Sequence, residues 1–250
     1  MSITKIGKYL CERVKIPSKN ACFLSLDEKH FLKRFTNPTS FIRETTFIDT
    51  CKNIEEIIKY EDIIEDKNCK YVVYPNLNCN DLFFHIMNSK MNKETRNKIF
   101  YNIMIGVDKI HKKNLIHGDF KIENIMVQND TSVKIIDFEF SQLLSNDNIP
   151  NKFGSRSYLS PEKMDGNIIS KKSDIWALGI LYYKLINYEE PYERKFINSQ
   201  NYYPNQESII DEFIMFSKDE RHLFNMMVQN DYNKRKNPDE IIKFLKNYLI

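Results

Sequence analysis

The sequence predicts an α+β fold built as two unequal lobes. Three observations carry that expectation. Strand-like alternation runs through the first 75 residues, helical spacing takes over beyond residue 80, and Pro75-Asn76 punctuates the change. The division falls near residues 75 to 78, giving a small lobe of residues 1–77 and a larger one of residues 78–250 that together make one domain around a shared cleft. Hydrophobic residues make up 42% of the 250, with 17 Phe and 14 Tyr among them, enough large side chains to fill a core and to exclude a disordered chain.

The elements follow in order. Cys22-Phe23-Leu24-Ser25-Leu26 and His30-Phe31-Leu32-Lys33-Arg34-Phe35 flank the polar stretch Asp27-Glu28-Lys29, the pattern of a hairpin. Asn37-Pro38 then opens a helix, with Phe41, Glu44, Thr45 and Ile48 at helical spacing behind it. Lys70 to Tyr74 reads as another strand, which Pro75 stops. Asn92 caps a long helix whose Phe100, Ile103, Met104 and Val107 share a face. Leu115-Ile116, Ile125 to Val127 and Val133 to Ile136 are short strands, the last two joined by a turn at Asn129-Asp130. From Ser173 onward the pattern is helical, and the last helix opens at Asn237-Pro238.

Composition excludes several classes of function. Lys and Arg number 37 against 34 Asp and Glu, and a net charge of +3 gives too little phosphate attraction to expect direct nucleic-acid binding. The cysteines Cys11, Cys22, Cys51, Cys69 and Cys79 are odd in number and include no C-x-x-C pair, which argues against a disulfide framework or a zinc site. Residues Met1 to Arg13 carry charges where a signal peptide needs an apolar stretch, and no run approaches the roughly 18 apolar residues of a membrane span. The expectation is a soluble protein of the cytoplasm or nucleus.

The chemistry concentrates in His117-Gly118-Asp119-Phe120-Lys121-Ile122-Glu123-Asn124 and, thirteen residues after Asn124, in Asp137-Phe138-Glu139. Both stretches follow strand-like runs, where turns present polar side chains at a cleft. Phosphoryl transfer asks for a carboxylate that orients and deprotonates the attacking hydroxyl, hard oxygen ligands for Mg²⁺ and cations beside the phosphates. Asp119 suits the first task, and Asn124 and Asp137 suit the second. Lys121, two residues past Asp119 in an extended loop, points to the same side to steady the transferred group.

These two motifs resemble the catalytic loop and metal-binding motif of the eukaryotic protein-kinase fold. His-Gly-Asp with Ile-Asp-Phe-Glu also resembles choline and aminoglycoside kinases, so a small-molecule substrate stays open at that point. Downstream, Gly154-Ser155-Arg156-Ser157-Tyr158-Leu159-Ser160-Pro161-Glu162 resembles the end of a protein-kinase activation segment, and Ser173-Asp174-Ile175-Trp176-Ala177-Leu178-Gly179 the helix that anchors the catalytic loop. Asp231-Tyr232-Asn233-Lys234-Arg235 resembles the late arginine motif of the family, whose Arg235 pairs with Glu162. This trio favours a protein substrate. The resemblance implies a bilobal protein-kinase-like fold, with a small antiparallel-sheet lobe plus one helix and a mainly helical larger lobe. It implies ATP and Mg²⁺ as cofactors. Lys33 stands where the strand lysine grips the α- and β-phosphates and Glu44 is its helix partner. Tyr74 is the gatekeeper, Pro75, Asn76 and Leu77 are the adenine-contacting hinge, and Asp81 takes the place of a ribose- or substrate-contacting acid. Lys121 and Ser155 resemble the serine/threonine branch. Glu123 and Asp81 favour basic targets, whereas Lys184 occupies a place where some basic-directed kinases carry an acid. The compact, divergent chain also resembles kinases of large DNA viruses, including baculoviruses and poxviruses, which implies action inside a host cell.

The departures from the family carry expectations of their own. Ile16-Pro17-Ser18-Lys19-Asn20-Ala21-Cys22-Phe23-Leu24 stands where a phosphate-covering loop should hold several glycines and has none, which predicts a differently shaped lid with Lys19 supplying charge in place of backbone contact. Glu139 replaces the glycine after Asp137-Phe138 and puts another carboxylate near the metals. Gly118 replaces the arginine that grips a phosphorylated activation loop in many kinases, which predicts constitutive activity or control by a partner. The glycine-free lid and Glu139 motivate a second class, a pseudokinase scaffold. His117 reads as packing beneath the loop, and His30, His85, His111 and His222 as surface or packing residues.

Overall fold

The computed structural model describes residues 3–15, 20–66, 69–88, 91–128, 131–144, 154–165, 169–187 and 216–250. Lys19 and the Asn129-Asp130 turn lie outside the described residues.

The front of the chain forms one antiparallel sheet. Strands β1 (Ile3–Ile6), β2 (Tyr9–Val14), β3 (Cys22–Ser25), β4 (His30–Phe35), β5 (Asp62–Asp66) and β6 (Cys69–Pro75) assemble in the order β1-β2-β3-β4-β6-β5. Helix α1 (Pro38–Thr50) is the helix among them. It starts where expected: the Asn37 side chain accepts from the Thr39 and Ser40 N–H groups, and Pro38, with no N–H to satisfy, takes the first turn.

Period-2 alternation decides which side chains reach the cleft. Leu32 on β4 and Tyr71 and Val73 on β6 pack on one face with Ile6, Cys11 and Phe23. Lys33 and Phe35 of β4, and Val72 and Tyr74 of β6, turn to the opposite face, where Phe35, Val72 and Tyr74 join the main core under α1. Register sets Lys33 opposite Val72 and Phe31 opposite Tyr74, so the Lys33 and Tyr74 side chains point the same way.

The back of the chain is mainly helical: α2 (Leu82–Asn88), α3 (Lys93–Lys112), α4 (Pro161–Met164), α5 (Lys171–Asn187), α6 (Lys218–Met227) and α7 (Pro238–Tyr248). Asn92 caps α3 by accepting from Thr95 N at 2.8 Å. Glu240 closes the first turn of α7 by accepting from Asn237 N at 3.0 Å. Residues Ser173 to Ile186 of α5 are all buried, making it the central helix. Short strands β7 (Asn80–Asp81), β9 (Ile125–Gln128) and β10 (Ser132–Ile135) form one small sheet, and β8 (Leu115–Ile116) pairs with β11 (Gln142–Leu143). The loops leaving β8 and β10 carry the two motifs.

The lobes share a core: Phe47 of α1 stacks on Phe138 at 4.3 Å, and residues from Phe35 to Leu249 form one continuous apolar cluster. Backbone bonds reinforce the junction, with Ile58 N donating to Ile135 O at 3.2 Å and Ile135 N to Glu56 O at 2.7 Å. The segment after α1 is thereby fastened to the strand that leads into Asp137. The fold is the bilobal α+β architecture expected from the motifs. No helix among the described residues is long and apolar enough to cross a membrane. None of the five cysteines forms a disulfide.

Candidate active site

Lys33 is the centre of the site. Its buried ammonium lies 2.7 Å from Asp137 Oδ1, 2.9 Å from Glu139 Oε1 and 3.3 Å from Glu44 Oε1. Burial alone would lower its pKa, but Glu44, Asp137 and Glu139 outweigh burial and hold the ammonium protonated well above the ordinary lysine range. Glu44 reaches Lys33 from α1 and is further satisfied by the Tyr74 hydroxyl at 2.7 Å and by Phe138 N at 2.7 Å. Burial nonetheless pushes the Glu44 carboxyl up, with Lys33 opposing. Asp137 sits in the left-handed region at φ 66°, a conformation that aims its carboxylate back at Lys33. Burial opposes its ionisation, and Lys33 overcomes that and holds it below the usual carboxylate range.

The loop after β8 is clamped from beneath by α5. Asp174 accepts from His117 N and Gly118 N, each at 3.0 Å, and lies 3.0 Å from His111 Nε2. His117 is buried, its ring stacked on Phe120 at 4.3 Å and set edge-on to Phe138 at 5.2 Å. Its Nδ1 accepts from Asp119 N at 3.2 Å and its Nε2 lies 3.1 Å from Ile136 O, which selects the neutral ring with the proton on Nε2. Burial lowers its pKa in the same sense. The packing role expected of His117 is what this arrangement gives.

Asp119 lies above this floor. Its Oδ1 accepts from Ser155 N at 2.7 Å, and its Oδ2 is 3.5 Å from Lys121 Nζ. Asn124 donates through Nδ2 to Asp119 O at 2.9 Å, which turns its amide oxygen away from that bond. No group of three or more His, Cys, Asp or Glu side chains among the described residues could hold a metal ion by itself. The donors available are the Asn124 amide oxygen and the Asp137 carboxylate, 31% accessible, a hard-oxygen pair of the kind Mg²⁺ takes when phosphates and waters complete its shell. The residues present fit that ion.

The remaining residues are placed as follows. Pro75 and Leu77 line a cavity of about 350 Å³ with Ile54, Ile57, Ile58 and Lys134. Asn76 donates its N–H to Lys29 O and its side-chain amide to Glu28 O, each at 2.7 Å, bracing the β3–β4 turn. Asp81 Oδ1 accepts from Phe84 N at 2.7 Å and starts α2. Lys184 is buried with its ammonium 4.2 Å from the Tyr158 ring. Arg235 meets Glu162 in a two-point pair at 2.7 and 2.8 Å and lies over the Trp176 ring at 4.9 Å. Burial opposes ionisation of Glu162, and Arg235 holds its carboxyl below the usual range.

One feature is only half legible in the sequence and a second escapes it. Glu139 bonds Lys33 directly and also accepts from the Asn20 side chain at the edge of the lid. Lys163, one residue past the Pro161-Glu162 pair, is buried and donates to Gly118 O at 2.5 Å. The glycine position at 139 was a signal for the first. Nothing in the local pattern marks Lys163.

Comparison with known proteins agrees with this geometry. Residues 24–245 match the family described as protein kinase domain. A calcium and calcium/calmodulin-dependent serine/threonine-protein kinase of Pisum sativum is 30% identical over 199 residues, covering 74% of this chain and 37% of that protein. The SNF1-related protein kinase catalytic subunit alpha KIN12 of Arabidopsis thaliana is 30% identical over 132 residues, covering 52% of this chain and 27% of that protein. An Aurora kinase of Eremothecium gossypii is 27% identical over 195 residues, covering 76% and 52%. The chain thus spans about half or less of the length of these relatives, and the family match covers nearly all of its two lobes. The chain belongs to the protein kinase domain family.

Proposed function

We propose that this chain transfers the γ-phosphate of ATP to serine or threonine hydroxyls of protein substrates in the presence of Mg²⁺. The single observation that carries the reading is the convergence of Glu44 of α1 and Asp137 of the loop after β10 within 3.3 Å of the Lys33 ammonium on β4. Residues 1–77 serve as the nucleotide-binding lobe. Residues 78–250 supply the catalytic loop, the activation segment and the docking surface for substrate.

The roles follow from placement. Asp119 accepts the proton of the attacking hydroxyl, its carboxylate oriented by Ser155 N. Lys121, 3.5 Å from that carboxylate, steadies the transferred group. Lys33 binds the α- and β-phosphates and Glu44 holds it in place. Asn124 and Asp137 hold Mg²⁺, which neutralises charge developing on the phosphates. Pro75, Asn76 and Leu77 form the adenine-contacting hinge, which Asn76 also braces through its N–H to Lys29 O and its side-chain amide to Glu28 O. Lys19 adds charge at the lid. Asp81 contributes negative potential beside Glu123, favouring basic targets, while the charge of Lys184 is turned inward onto Tyr158. Lys121 and Ser155 support serine/threonine over tyrosine. Cysteines without a disulfide and the resemblance to viral kinases support action in the cytoplasm or nucleus of a host cell.

One observation favours a second reading. Glu139 on Lys33 fills a phosphate-binding cation with a carboxylate, as a pseudokinase scaffold would tolerate. Radiolabelled γ-phosphate transfer to a panel of basic and acidic proteins, with choline and aminoglycosides as further acceptors, separates the readings. Labelled protein supports the proposal. Labelled small molecule, or Mg-ATP binding with no transfer, rejects it.

A further inference from the structure

The proposed chemistry gives no part to Lys163, a buried cation beside the catalytic loop. Lys163 is 5% exposed, and its ammonium donates to Gly118 O between His117 and Asp119. Burial lowers its pKa while Asp174, Asp119 and Glu162 oppose. A buried ammonium is unfavourable unless neighbouring groups compensate it, so this one needs a reason to be there.

Its surroundings supply the reason. Gly118 has φ 82°, and a Cβ there would meet Phe140 O at 2.5 Å, so no side chain, least of all an arginine, can stand at 118 in this conformation. The cation instead comes from the opposite side of the loop. Gly154, at the end of the activation segment, lies beside it: a Cβ on Gly154 would come 3.1 Å from Lys163 Nζ and 3.4 Å from Gly118 O. The next residue, Ser155, donates its N–H to Asp119 Oδ1 at 2.7 Å. Gly118, Asp119, Ser155, Lys163 and Asp174 all line one small void. Lys163 of α4 therefore reaches past Gly154, at the end of the activation segment, to the backbone of the catalytic loop.

We infer that Lys163 is a positioning residue, an internal cation that holds the activation segment on the catalytic loop and keeps Ser155 on Asp119 with no phosphate on the segment. The inference rests on the protein-kinase reading above and names how that site is kept assembled.

The test compares wild type, K163M and K163R, each treated with phosphatase, by amide hydrogen exchange across residues 154–165 and by steady-state kinetics. Expected are protection of the Ser155 amide in wild type and K163R, and exchange at least about tenfold faster in K163M. Where transfer is measurable, kcat falls by about 10²-fold in K163M with the KM for ATP unchanged, and K163R recovers most of it. A lysine that serves only to fill space would lower the melting temperature without splitting kcat from KM. Equal protection in wild type and K163M overturns the inference, as does wild-type activity that disappears with phosphatase. A wild type that binds ATP but transfers nothing rejects the proposed function, and the exchange data then decide the role of Lys163 alone.

Discussion

At Lys33 a single ammonium serves three carboxylates, and the arrangement separates their tasks. Glu44 is fully enclosed and bonded by Lys33, Tyr74 and Phe138, so it positions. Asp137 keeps an accessible face, so it can turn to an ion. Glu139 has neither office. On the proposed reading its carboxylate competes with the phosphates for the Lys33 ammonium, and it also accepts from the Asn20 side chain. Glu139→Gly should therefore bind Mg-ATP about three- to tenfold more tightly, a gain of ~1 kcal/mol, measured by titration calorimetry. Weaker binding in that variant would make Glu139 a ligand for the ion instead. The residues of the catalytic loop were legible because their spacing is local: Asp119, Lys121 and Asn124 lie within six positions. Glu139 and Lys163 were legible only as unusual or unremarkable letters, because their partners come from other lobes or other loops. No local pattern encodes a contact between residues 45 apart, such as Lys163 and Gly118.

Among elements, those with strong local signals matched their expectations and those without them did not stand out. Asn37-Pro38 and Asn92 mark helix starts by side-chain capping, a signal contained in four residues, and α1 and α3 begin there. The hairpin of β3 and β4 follows from alternation around a polar turn. Strand β1 is short and largely exposed, β2 is mostly half-buried, and β5 reads Asp-Ile-Ile-Glu-Asp, so alternation alone gave a strand-rich region without separating its members. The clearest link between elements is Glu162 of α4 with Arg235, which sits beyond the end of α6. Arg235→Met should lower unfolding free energy at pH 7 by about 3–5 kcal/mol, read from urea midpoints, because it strands a largely buried carboxylate. The pH dependence has a definite sign. Glu162 is held below its ordinary value of 4.5 in the folded protein, so the unfolded chain takes up its proton first. Its stabilisation is complete above about pH 4.5 and is lost as pH falls through the lower folded value. The wild type should therefore converge on the Arg235 variant under acid, and a gap that stays constant from pH 7 to pH 3 would contradict the assignment.

Across the whole molecule, the division into a sheet lobe and a helical lobe was readable from the switch between period 2 and period 3.6, but the way the lobes join was not. One apolar cluster runs through both, with Phe47 and Phe138 stacked at their boundary, and the backbone bonds of Ile58 and Glu56 to Ile135 fix α1 relative to Asp137. That continuity is why Lys33, from the sheet, meets carboxylates from α1 and from the loop after β10. The joined core also predicts that the two lobes unfold together. Heating should give one calorimetric transition, and Phe138→Ala should lower its midpoint as a single peak, by about 3–5 kcal/mol in stability. Two resolved transitions would mean the lobes are energetically separate.

Asp119, aligned by Ser155 N and flanked by Lys121, is the proposed base of a phosphoryl transfer to protein hydroxyls. Transfer of labelled γ-phosphate from Mg-ATP should therefore be measured in wild type and Asp119→Asn, with ATP affinity determined on the same samples. Expected are phosphoserine or phosphothreonine from wild type, a loss of about 10²–10⁴-fold in the variant and equal ATP affinity in both. Equal transfer by the two proteins, or none by a wild type that binds Mg-ATP, would contradict it.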